Sequence, residues 1–274
     1  MLNVITARPT PEDLAEAPHL LYGHVHPGTA YSTGAWLRDV RALADAGALS
    51  GEYSIFVGGT GLYFRALASG ISEMPDIPPS IRNRWRYELA DKGSTALHRI
   101  LWREDPEAAI RLRPTDGQRI ARALEVLQAS GRSILRWQQE AGRNLIDQDS
   151  ARFLVVEPER AELIARIDTR FDRMVENGAI EEVEALTALR LDPALPAMKA
   201  IGVREMQAAI SGRLTMEEAI SRAKIATRQY AKRQATWFRH QLGPEWQRIG
   251  SSDDAQELGF RFGSAVPGDP AKPN

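Results

Sequence analysis

The stretch FVGGTGLYFRALASG, Phe56 to Gly70, sets Gly58, Gly59, Thr60 and Gly61 between an apolar run (Tyr53 to Val57) and a segment with helical spacing. A short buried strand, a tight glycine turn and a helix opening at the turn make up a βα unit. The backbone N–H groups of such a turn can cradle an anion at the helix N-terminus, and Thr60 adds a hydroxyl. The turn holds no lysine and no Lys-Ser/Thr pair follows it, so it is not a Walker A loop. On this motif alone, a plain tight βα turn explains the glycines as readily as anion binding does.

The surrounding chain extends the pattern. Leu2 to Thr6 and Leu20 to Val25 read as short strands, and Thr10-Pro11-Glu12-Asp13 as a helix start with proline at the first helical position. A helix after Tyr31-Ser32 carries Trp36, Val40 and Leu43 on its apolar side. Alternating strands and helices predict a parallel α/β sheet. The character changes after Gly70. Met74-Pro75-Asp76-Ile77-Pro78-Pro79 breaks the chain, and only helical spacing follows: Ile81 to Ala90, Thr95 to Arg103, Pro106 to Leu112, Gly117 to Ser130 and Ser133 to Gln139. Phe153 to Val156 then reads as a strand returning to the sheet. Leu163, Ile167, Phe171 and Met174 form an apolar stripe ended by Asn177-Gly178, and Glu217 to Gln241 is a last long helix. The expected organisation is a core in two parts, residues 1–75 and 145–250, around an all-helical insertion at 76–144, with a flexible tail at 251–274 rich in Gly, Pro, Ser and Ala.

Charge matters here locally rather than globally. The 274 residues carry 35 Lys and Arg against 36 Asp and Glu, a net charge of -1, so the molecule as a whole announces no polyanionic partner. Yet Ala219 to Pro244 contains no acidic residue and holds Arg222, Lys224, Arg228, Lys232, Arg233 and Arg239. Lys224, Arg228 and Lys232 make an i, i+4, i+8 row interleaved with Tyr230, Trp237 and Phe238, a pattern suited to nucleic acid. The competing reading pairs this helix with the acidic one at Glu181, Glu182 and Glu184. A second cationic face comes from TDGQRIARALEV, where Gln118, Arg119 and Arg122 lie on the first turns of a helix capped by Asp116. Two guanidiniums and an amide there can hold phosphates and read a base edge, or simply face solvent. MKAIGVREM, Met198 to Met206, sets Lys199 and Arg204 around Gly202 and alone suggests no more than a helix-entry turn.

Other chemistries find little support. There is no cysteine, so disulfides and Cys-ligated zinc are out. His19, His24 and His26 lie near one another without metal-ligand spacing and are expected to be satisfied imidazoles. No Ser-His-Asp set is evident. No stretch approaches the ~20 apolar residues of a membrane span, and the opening residues have no signal-peptide pattern, so a cytoplasmic protein with no membrane partner is expected.

Taken together and in order, TARPTPEDLAEAPHLLYGHVHPGTAYSTGAW, FVGGTGLYFRALASG, DGQRIARALEVLQASGRSI, MKAIGVREM and ATRQYAKRQATWFR resemble the bacterial tRNA dimethylallyltransferase family from Leu2 to Arg239. The resemblance implies transfer of a dimethylallyl group from dimethylallyl diphosphate to the exocyclic N6 amine of the adenosine 3′-adjacent to the anticodon. It implies Mg²⁺ to neutralise the diphosphate, the tRNA anticodon stem-loop as partner, and a monomer. The fold it implies is a P-loop NTPase-like parallel sheet core with an all-helical insertion that clasps the stem-loop. Carried over by motif, Thr60 lines the reaction channel, and Gly58 and Gly59 hold the diphosphate. Arg82 and the run Gln118, Arg119, Ile120, Ala121 and Arg122 hold tRNA. Lys199, Gly202, Arg204, Lys232, Arg233, Gln234, Trp237 and Arg239 supply further tRNA contacts.

Members of that family open with a strand, a loop ending in Gly-Lys-Ser/Thr, a helix, and a strand ending in Asp-Ser, whose aspartate is the implied general base. That block has no counterpart here. The first βαβ unit is therefore expected to lie upstream of Met1, and the 274 residues as written are expected to be inactive. A non-catalytic RNA-binding protein derived from the family is the alternative.

Overall fold

The computed structural model describes residues 2–51, 53–72, 74–140, 142, 144–251 and 254. Its helices, in chain order, are α1 (Pro11–Glu16), α2 (Thr33–Asp45), α3 (Gly61–Ser69), α4 (Pro79–Glu104), α5 (Pro106–Arg111), α6 (Gly117–Ser130), α7 (Ile134–Gln139), α8 (Arg160–Glu176), α9 (Ala179–Ala188), α10 (Val203–Ile210) and α11 (Met216–Gln241). Strand β1 (Phe153–Val156) precedes α8 and β2 (Trp246–Ile249) follows α11. The starts follow local chemistry. The Thr10 hydroxyl accepts from the Asp13 N–H, and the Asp13 carboxylate accepts from the Thr10 N–H. That backbone donor, and then the Thr10 side chain, hold the Asp13 carboxyl below the ordinary aspartate range. Thr215 and Glu218 close the same reciprocal box on α11, and Asp116 caps α6.

The chain forms two compact units. The first comprises Met1–Ser32, Ile55–Gly61 and Ser150–Asn274. Its core is built by α8, α9, α10 and α11 around Phe171, Val183, Leu186, Val203, Met206 and Ala223, with Leu2 and Ile5 of the N-terminal segment buried among them. Each fully buried aliphatic or aromatic side chain of this kind contributes roughly 1.5–3 kcal/mol relative to exposure. Gly202, the residue before α10, has φ +96°, and a Cβ there would lie 2.9 Å from Ile5 Cδ1 and 3.3 Å from Phe171 Cζ. The word MKAIGVREM is thus split by side: Met198, Val203 and Met206 turn inward, while Lys199 and Arg204 are exposed.

The sheet differs from expectation. Among the described residues it consists of β1 and β2, parallel, with Phe153 opposite Trp246 and Val156 opposite Ile249. The spacing of apolar residues did not reveal β2. Leu2 to Thr6 is a turn, because the N–H groups of Asn3, Val4 and Ile5 all donate to the Glu182 carboxylate and are lost to any ladder. Leu20 to Val25 cannot run as a strand because Leu21 and Gly23 have φ of +61° and +67°. Among the described residues Tyr53 to Val57 has no ladder partner, and Tyr53, Ile55 and Val57 are 75%, 65% and 77% exposed. An apolar run becomes a strand only when a neighbour supplies its hydrogen bonds. The result is a mixed, helix-rich α/β fold with a small parallel sheet.

The second unit comprises Thr33–Ser54 and Leu62–Asp149, so it takes in α2 and nearly all of α3 as well as the helical stretch from residue 76 on. Its helices run where the spacing places them, with the two expected over 81–90 and 95–103 joined in α4 across a kink at Gly93 (φ +77°). Trp85, Leu97, Leu101, Ile120, Leu124 and Leu135 form its core, and the Trp85 indole donates to Gln128 over 2.8 Å. The expected flexible tail, 251–274, lies outside the described residues except for positions 251 and 254. Among the described residues no helix is long and apolar enough to cross a membrane.

Candidate functional site

The glycine turn is held by α11. Gln234 donates through Nε2 to the Gly59 carbonyl over 2.7 Å, and the Thr60 and Tyr230 hydroxyls lie 3.2 Å apart. The Trp237 indole packs on Gly61: a Cβ added there would fall 1.8 Å from Trp237 Cζ3. Glycine at 61 is therefore a steric requirement of this contact as well as a turn residue. Tyr230, Gln234 and Trp237 stand at i, i+4 and i+7, one face of the helix. Hydrogen bonds of this kind contribute about 0.5–1.5 kcal/mol each. The sequence pointed to Tyr230 only as an aromatic among the basic residues and not as a partner of the turn, although its spacing from Gln234 and Trp237 is a usable signal.

The basic row of α11 divides in two. Arg228 grips Asp168 of α8 with both Nε (3.0 Å to Oδ1) and Nη2, and Lys224 pairs with Asp172 at 2.6 Å. The acidic partner is thus α8, not the Glu181, Glu182 and Glu184 of α9 named in the competing reading. Asp168 and Asp172 are spaced four apart, as are Lys224 and Arg228, and the two pairs run in opposite directions. Glu182 is occupied instead by the N-terminal amides. Beyond this clamp, Lys232, Arg233 and Arg239 are exposed and, among the described residues, form no ion pair. The Arg233 guanidinium lies over the Tyr230 ring, 5.7 Å from its centroid. Lys232, Arg233, Thr236, Trp237, His240 and Gln241 line a shallow groove along this part of the helix. Three unpaired cations beside a groove with an aromatic wall suit a phosphodiester chain.

In the helical unit, Asp116 accepts from the Arg119 N–H and sits 3.5 Å from its Nε, while Arg122 pairs with the buried Glu125 at 3.2 Å. Gln118 and Arg119 are exposed. Ile120 and Ala121 are buried in the unit's core, so their part is to anchor the helix that displays the neighbouring arginines. Arg82 is half-buried on the first turn of α4.

The side chains bonded to the turn are an amide and a phenol, and among the described residues no group of three or more His, Asp and Glu could hold a metal ion. These residues do not fit a protein-ligated Mg²⁺. The histidines find ordinary partners: His24 Nε2 lies 3.1 Å from the Tyr31 hydroxyl, and His19 Nδ1 lies 2.8 Å from the Ala17 carbonyl.

Residues 1–241 match the family described as IPP transferase. The chain is 70% identical over 256 residues to a tRNA dimethylallyltransferase of Mesorhizobium japonicum, a match covering 93% of this chain and 79% of that protein. It is 58% identical over 249 residues to the tRNA dimethylallyltransferase of a Chelativorans species, covering 91% and 85%. Among solved structures it resembles the full-length tRNA isopentenylpyrophosphate transferase of Bacillus halodurans, with a TM-score of 0.60 and 28% identity over 94% of this chain and 80% of that one. A eukaryotic dimethylallyltransferase acting on tRNA shares the fold, with a TM-score of 0.74 at 22% identity over 95% and 67%.

Proposed function

Since the chain belongs to the IPP transferase family and is similar to tRNA dimethylallyltransferases, we propose that it serves dimethylallyl transfer to tRNA. The donor is dimethylallyl diphosphate, and the acceptor is the exocyclic N6 amine of the adenosine 3′-adjacent to the anticodon, giving N6-dimethylallyladenosine. The observation that carries this reading is the double use of α11. One face holds the glycine turn through Tyr230, Gln234 and Trp237, and the stretch from Lys232 to Arg239 displays unpaired cations.

The chemistry asks for both. An adenine amine is a weak nucleophile, so the reaction depends on stabilising the departing diphosphate. In this reading Gly58 and Gly59 offer N–H groups to the diphosphate, and Thr60 adds its hydroxyl in the channel where the allylic carbon is transferred. The acceptor base must leave its stack to reach that channel. Lys199, Arg204, Lys232, Arg233 and Arg239 hold the RNA backbone, with Arg82, Gln118, Arg119 and Arg122 doing so on the helical unit. Mg²⁺ enters this scheme only with the diphosphate, whose oxygens are its usual ligands.

A second reading, RNA binding without transfer, is favoured by the groups bonded to Thr60 and Gly59. Among the described residues they include no carboxylate that could take the proton from N6. The two readings meet in one experiment. Purified residues 1–274 are mixed with an anticodon stem-loop RNA, with and without dimethylallyl diphosphate. The expected result is salt-dependent binding and, only with dimethylallyl diphosphate present, modified adenosine by mass spectrometry. Binding without modified adenosine would overturn the transfer reading in favour of the second. A lack of binding at low salt would sink the tRNA reading itself.

A further inference from the structure

The two hydrogen bonds between α11 and the turn fall on neighbouring atoms, the Gly59 carbonyl and the Thr60 hydroxyl, on either side of the Thr60 N–H. No peptide bond of the described chain is cis, so the Gly59 carbonyl and the Thr60 N–H of the same peptide point to opposite sides. Gln234 holds that carbonyl at 2.7 Å, which turns the Thr60 N–H away from α11. Tyr230 acts on the other proton. Its hydroxyl lies 3.2 Å from Thr60 Oγ1, and either atom could donate by geometry alone. The Arg233 guanidinium over the phenol ring draws electron density from the phenol oxygen and strengthens it as a donor. With Tyr230 donating, the Thr60 hydroxyl keeps its own proton for a group on its other side.

We propose that Tyr230 and Gln234 are positioning residues that aim the hydroxyl and backbone protons of Thr60 at one anion, the diphosphate; the inference rests on the anion-binding reading of the turn given above. Neither residue brings charge to the site. Each acts through Thr60, by a different proton, and that difference makes the roles separable.

The test is a mutant cycle on the affinity of residues 1–274 for inorganic pyrophosphate, measured by titration calorimetry. Y230F and Q234L are each expected to weaken binding by about 3–10-fold, the size of one neutral hydrogen bond. Thr60→Val removes the hydroxyl but keeps the backbone N–H. Y230F should therefore have no further effect in the T60V background, whereas Q234L should weaken T60V as much as it weakens the wild type. Additive losses for Y230F and T60V would show that Tyr230 acts on the fold rather than through Thr60, and would overturn its role. Full affinity in Y230F or Q234L would overturn the role of that residue and leave the anion site standing. Failure of the wild type to bind pyrophosphate at all would overturn the anion reading of the turn, and this inference with it.

Discussion

Replacing Lys232, Arg233 and Arg239 together with alanine is expected to weaken anticodon stem-loop binding on the order of 10²–10³-fold at about 0.1 M salt. Each lysine or arginine that displaces a counterion contributes roughly 0.7–0.9 to the slope of log affinity against log salt, so three of them should remove about 2–3 units of slope. The choice of residues follows from their neighbours. Lys224 and Arg228 belong to the same basic row, but they are held by Asp172 and Asp168. Alanine at those two should leave the slope nearly unchanged and lower stability by no more than about 1 kcal/mol per pair, since the carboxylates of Asp168 and Asp172 are partly exposed. Fluorescence anisotropy across a salt series reads both effects. An unchanged slope in the Lys232, Arg233 and Arg239 variant would remove α11 from the RNA surface.

Gly202→Val is expected to lower the stability of the chain by about 3–5 kcal/mol, combining the strain of φ +96° with overpacking against Ile5 and Phe171. For a chain of this size that corresponds to a fall in Tm of roughly 6–20 °C. The measurement is a thermal or urea melt. The substitution matters for function because Gly202 sits in the same word as Lys199 and Arg204. Those two are exposed, so R204A should lower RNA affinity while changing stability by no more than about 0.5 kcal/mol. Wild-type stability in G202V would show that its contacts with Ile5 and Phe171 do not constrain the fold.

Much of the helical structure was legible because its causes are local. Thr10, Asp116 and Thr215 are capping residues a few positions from the amides they bond, and the stripe from Leu163 to Met174 needs only its own spacing to be read. Of the strands, Phe153 to Val156 was legible as an apolar run, while its partner and the fate of the other expected strands were not, for the opposite reason. Phe153 to Val156 forms one because Trp246 to Ile249, some ninety residues on, lies beside it. Tyr53 to Val57 has an equally apolar run and, among the described residues, no such neighbour. Leu2 to Thr6 was lost to a carboxylate far along the chain, Glu182. The same limit applied at the site. Thr60, Gln234 and Trp237 were candidates, yet their meeting across some 175 residues was not foreseen. Nor was the choice of α8 over α9 as acidic partner, although the matched four-residue spacings of Asp168/Asp172 and Lys224/Arg228 were present.

The contact between Gly61 and Trp237 also bears on how chains of this kind can drift over generations. Since a single carbon added at 61 would collide with the indole, position 61 cannot grow unless position 237 shrinks first. The two sites, 176 residues apart, form one heritable unit: an intermediate carrying only the first change is penalised, and a lineage that crosses must do so in that order.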